Sequence, residues 1–170
     1  KQAWIENQTE TVKIANPSAK KIDFVLFDPN NEVMKSVSFD KSFDMIKSQA
    51  AKSTYMLDRY DAIAAMRDTG VETKRDFLVS RFEKETSLQV KNEIVNQLIE
   101  DKNTKSYDLI RKAINDKDVQ VQKNVVNKTK IIPAELIADY EKLLTGNSYD
   151  LIANTLDKLC SNNPSKTQTY

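Results

Sequence analysis

The carboxylates come closest to carrying chemistry. Asp58 with Asp61, Glu83 with Glu85 and Asp116 with Asp118 are paired at short spacing, and two carboxyl groups in unlike surroundings are what acid–base hydrolysis requires. Each pair lies among Lys and Asn residues, without the apolar setting that would raise one pKa, so solvated surfaces are expected. Asp116-Lys117-Asp118 opens like a calcium loop but lacks the later glycine and glutamate, and reads as a turn whose Asp118 caps the next helix. Cys160, the single cysteine, has no histidine or flanking arginine to favour its thiolate and reads as a structural thiol. The chain contains no histidine, the usual general base and commonest metal ligand. Its two glycines, Gly70 and Gly146, cannot write a phosphate-cradling loop. No catalytic, cofactor-binding or metal-ligating residue is therefore expected in this chain.

Charge narrows the partners. The 26 basic and 25 acidic residues leave a net charge of +1, so no electrostatic field favours nucleic acid. Only Arg59, Arg67, Arg75, Arg81 and Arg111 offer the planar fork suited to phosphate or base edges. The aromatic residues are scattered at positions compatible with a core rather than interleaved with a basic groove. No apolar run reaches the roughly 20 residues that span a bilayer, so no membrane-spanning segment is expected. A hydrophobic content of 39% over 170 residues supports a real core. The first residue is Lys1 rather than Met, from which a piece of something longer is expected.

The elements that must position these groups change character once. Val12 and Ile14, then Ile22, Phe24 and Leu26, then Val33, Val37 and Phe39 follow strand-like alternation. Asn16-Pro17-Ser18 and Asp28-Pro29-Asn30-Asn31 separate these runs as turns. The pattern predicts a small antiparallel β meander of three strands, with a fourth near Trp4 and Ile5. From Ser42 onward the period is helical, with eight helices between short polar breaks. Thr73, Thr86, Pro133 and Ser148 read as start signals.

Every second helix repeats one apolar cluster. Ala62-Ile63 with Met66, Ile94-Val95 with Leu98, Val125-Val126 with Thr129, and Thr155-Leu156 with Leu159 recur at spacings of 32, 31 and 30 residues. Two helices per unit near this period predict a HEAT-like α-solenoid of about four antiparallel helix pairs. An irregular antiparallel bundle is the alternative. The expected fold class is thus mainly α, with a partial β-sandwich over residues 1–41, a HEAT-like repeat domain over 42–162 and a disordered tail over 163–170.

One stretch resembles a known family. Val25-Leu26-Phe27-Asp28-Pro29-Asn30-Asn31-Glu32-Val33-Met34-Lys35 is followed by Val37, Phe39 and Lys41-Ser42, then by Gln49-Ala50 and Leu57-Asp58-Arg59-Tyr60-Asp61-Ala62. It is similar to the junction between the β-sandwich and the C-terminal helical domain of zinc aminopeptidases of the aminopeptidase N type. From Val71 onward the resemblance is one of architecture alone. The family's zinc-binding His-Glu-x-x-His helix is absent here, so none of its catalytic or metal residues transfers. The resemblance implies a non-catalytic C-terminal domain that caps or lines the substrate cavity of a parent zinc enzyme. Its implied partners are the upstream catalytic domain and, through the parent enzyme, a peptide substrate. Zinc is implied for the parent only. A free-standing HEAT-like interaction scaffold and a catalytically dead relative are the other readings. At the junction, Asp28 and Pro29 set a tight turn, while Arg59 and Asp61 either bridge that turn to the second helix or lie on a plain surface.

Overall fold

The computed structural model describes Glu6 and residues 8–170. Trp4 and Ile5, where a fourth strand is expected, lie outside the described residues. Among the described residues there are eight α-helices: α1 (Phe43–Lys52), α2 (Met56–Ala64), α3 (Val71–Lys84), α4 (Leu88–Leu98), α5 (Thr104–Ile114), α6 (Val119–Lys128), α7 (Ile137–Lys142) and α8 (Tyr149–Asn162).

The helix starts follow local chemistry. Ser42, Asn103 and Asp118 place side-chain oxygens on the free backbone N–H groups of Met45, Lys105 and Gln120, each such cap stabilising by about 1 kcal/mol. Two start signals fall elsewhere than expected. Thr73 lies inside α3, which begins after Gly70, and α4 begins after Ser87 rather than Thr86. Ser87 makes no side-chain cap, and Glu85 instead fixes the chain just ahead of α4 by accepting from the Thr86 and Ser87 N–H groups.

Packing runs in two layers. Helices α2, α4, α6 and α8 stack in sequence, α3, α5 and α7 form the second row, and α1 closes the near end against α2. The repeated apolar cluster is the seam of the first row. Ile63, Met66, Ile94, Val95, Leu98, Val125 and Val126 are all buried there, each burial worth about 1.5–3 kcal/mol. In the last two units a threonine replaces an apolar residue. Thr129 and Thr155 donate their hydroxyls to the carbonyls one turn back, Val125 and Leu151, so neither is orphaned. Leu156 alone of the four anchors is half-buried. Beyond α8, the segment read as a tail carries a 3-10 turn at Pro164–Lys166, and Tyr170 donates to Glu141.

The β meander is not present. Among the described residues no strand forms, and residues 8–41 run as an irregular arm. The alternation is real, but a strand also needs a neighbouring backbone, and three uncovered strands are marginal in water. Left-handed residues at Ala19, Asp28, Asn30 and Asn31 fall in or beside the two expected turns, so the turns form while the segments they join do not pair. The arm's apolar side chains are left outside: Ile14 is 70% and Val33 63% exposed. The partial β-sandwich expected over residues 1–41 is therefore replaced, where described, by an arm held on the helices by side chains.

Candidate functional site

Two places bury charge: the seam between repeats and the junction of the arm with α2. At the seam, Arg59, Arg67 and Arg75 each reach a carboxylate 26 residues on, at Glu85, Glu93 and Asp101. Lys91 continues the series to Asp116, 25 residues on, and Arg111 to Asp139, 28 residues on. Each rung joins one unit to the next. All five arginines of the chain are held by carboxylates, Arg81 by Glu85 as well. Four of these planar forks, all but that of Arg81, serve inter-repeat ties, a task for which lysine is the poorer choice.

Glu85 is the densest of these nodes. Its side chain is 1% exposed, and it accepts hydrogen bonds from Arg59 Nε and Nη2, Arg81 Nη2 and the Thr86 and Ser87 N–H groups. Burial pushes its pKa upward, but the Arg59, Ser87 and Arg81 donors outweigh that and bring it down to about 2. Arg59 also donates to the Ser53 and Thr54 carbonyls. It thereby locks the α1–α2 loop to the α3–α4 loop. Glu83, its neighbour in sequence, is half-exposed and pairs with Lys112. The expectation of a solvated surface therefore fits Glu83 and fails for Glu85. Asp118 caps α6, as its spacing predicts, and the Asp116 beside it is buried against Lys91.

At the junction the arm turns over the start of α2. Asn31 N–H closes on the Asp28 carbonyl at 3.1 Å, with Pro29 fixing the first position of the 3-10 turn Pro29–Asn31. Asp28 Oδ2 accepts from the Val33 N–H at 2.9 Å and pairs with Lys35. Those donors, Lys35 first, hold its pKa below the usual carboxylate value. The turn is fastened to α2 by Asn30 N–H donating to Asp58 Oδ1 at 3.1 Å and Asn31 Nδ2 donating to Asp61 Oδ2 at 3.0 Å. Of the residues expected to form the junction, Asp28, Pro29 and Asp61 meet there, whereas Arg59 points to the seam. Asp58, Asn30, Asn31 and Gln49 also belong to it, although the sequence reading named them without assigning them to the junction. The signal for Asp58 was its three-residue spacing from Asp61, which puts both on one helical face.

A cavity of about 420 Å³ opens between arm and helices. Phe27, Val37, Phe39 and Ile46 give it an apolar wall, and Lys35, Lys41, Asp58 and Asp61 a balanced charged one. Gln49 bridges it, accepting from Lys41 Nζ at 2.5 Å and donating to the Asp58 carbonyl at 2.8 Å. Burial lowers the Lys41 pKa, with Asp58 and Asp61 pulling the other way. Asp58 is 4% exposed, and its Oδ2 accepts no hydrogen bond. An unmet buried acceptor costs about 1–3 kcal/mol. Among the described residues no three His, Cys, Asp or Glu side chains cluster as metal ligands would, and no helix is long and apolar enough to cross a membrane.

No family model, curated protein or solved structure matches the chain.

Proposed function

We propose that this chain is the non-catalytic C-terminal domain of an aminopeptidase N-like zinc metallopeptidase, capping or lining the substrate cavity. The observation that carries the proposal is the fastening of the Asp28–Asn31 turn to Asp58 and Asp61. The two separated halves of the sequence resemblance, the Phe-Asp-Pro turn and the Leu57–Ala62 segment, belong to one contact. Two further features support it. A stack of paired helices gives the extended face that a lining domain needs, and a chain without histidine fits a division of labour in which the zinc site lies in another domain.

The reading frame upstream of Lys1 provides the test. A His-Glu-x-x-His helix encoded there supports the proposal, and a frame without one overturns it in favour of an interaction scaffold. Purified as 170 residues, the chain is expected to leave aminoacyl anilides intact with or without added zinc. Turnover that survives exhaustive purification would contradict a non-catalytic role.

A further inference from the structure

The far end of the stack presents a face of the kind that every earlier unit covers. In the first two units the residues one turn from the seam anchor reach into the unit that follows. Arg59 and Arg67 flank Ile63 and pair with Glu85 and Glu93, and Lys91, one turn before Val95, pairs with Asp116. The same offsets on α8 give Ile152 and Cys160 on either side of Leu156, all on one helical face. These three are half-buried, whereas the earlier anchors Ile63, Val95 and Val126 are at most 1% exposed. Among the described residues no α-helix follows α8. Its outer stripe carries no charge, so it offers no ionic rung and is completed by apolar burial alone.

The residues after α8 indicate what covers it. An aromatic residue recurs in each helix of the second row, at Phe77 in α3, Tyr107 in α5 and Tyr140 in α7, with spacings of 30 and 33 residues, and Tyr170 follows after another 30. Phe77, Tyr107 and Tyr170 pack against the core cluster to which Tyr140 belongs. Tyr170 also donates to Glu141 of α7, as the next member of that row would. Pro164 opens the 3-10 turn that leads the backbone there.

We propose that Tyr170 belongs to the first helix of a fifth pair, encoded beyond it, and that the second helix of that pair docks on Ile152, Leu156 and Cys160. The occupant is a helix with an apolar stripe, continuing the seam that joins α2, α4, α6 and α8. It needs no carboxylate facing α8, because α8 presents no cation there. A second copy of the chain fits less well, since Tyr170 already occupies the place beside α7 that the copy would have to share. The inference concerns this end of the stack and stands whether or not the chain belongs to a peptidase.

The reading frame downstream of Tyr170 is the first test. The next anchor is expected about 30 to 32 residues after Leu156, within an amphipathic helical segment. A stop codon directly after Tyr170, or a frame without an apolar helical period at that distance, overturns the proposal. Hydrogen exchange of the chain extended through that pair is the second test. The α8 amides should exchange at least about tenfold more slowly than in the 170-residue chain. Leu156→Asp in the extended chain should abolish the slowing, with unchanged protection of α4 reporting that the rest of the stack is folded. Equal α8 exchange in the two chains overturns the docking. So does an extended chain that sediments as a dimer and is returned to monomer by Leu156→Asp, because the stripe would then belong to a second copy.

Discussion

The α3–α4 turn and the arm junction bury a carboxylate to the same depth and treat it in opposite ways. Glu85 and Asp58 are both 4% exposed. Glu85 has its oxygens filled by donors, two of them arginines that pair with no other carboxylate among the described residues. Asp58 uses one oxygen to hold the arm and leaves the other empty. Depth of burial therefore does not assign a role. The number of donors already committed separates a group that secures the fold from one with capacity to spare.

That contrast can be broken at several points. The largest effect is expected from Glu85→Ala, which leaves the largely buried Arg59 and Arg81 without an anion and should cost about 3–5 kcal/mol by urea unfolding. A loss below about 1 kcal/mol would mean that the node is ornamental. Next comes Leu98→Ala on the α4 seam, where Leu98 is fully buried. The expected loss is about 2–5 kcal/mol, with an unchanged dependence on denaturant.

Acid should expose the contribution of the Glu85 node as well. The folded pKa of Glu85 lies at about 2 against an ordinary value of 4.5, so its stabilisation is complete above the unfolded value and disappears as pH falls through the folded one. About 3 kcal/mol should be lost between roughly pH 4.5 and 2. Glu85→Gln should flatten that limb of the stability profile, and a limb of full height in the variant would assign the acid sensitivity elsewhere. Asp61→Ala removes one exposed hydrogen bond to Asn31 and should cost about 1 kcal/mol or less. Its more telling readout is faster hydrogen exchange in the 28–35 turn. The smallest effect is expected from Met34→Ser, at a fully exposed position, within about 0.5 kcal/mol of zero.

The helical part was legible because its information is local. Ile63, Val95 and Val126 recur at a regular distance and face inward by the same periodicity that identifies their helices. The arm was misread because alternation of Val12, Ile14, Ile22, Phe24 and Leu26 is a property of side chains, whereas a strand is a property of two backbones. Nothing in the order of residues says whether the second backbone is there. The depth of Glu85 and Asp58 was hidden for a related reason. Their partners Arg59 and Asn30 lie 26 and 28 residues away, in elements that only the stacking brings alongside. Arg59, expected at the arm, was drawn to the seam by a carboxylate that offers it two parallel bonds.

The rungs between units have a kinetic meaning too. Each ties a residue to a partner in the following unit. Order in such a stack propagates between nearest neighbours, so the chain can zip from any formed pair and fray from an end without losing the middle. Removing α7 and α8 would strip Arg111 of Asp139 but leave the Glu85 node and its arginines whole.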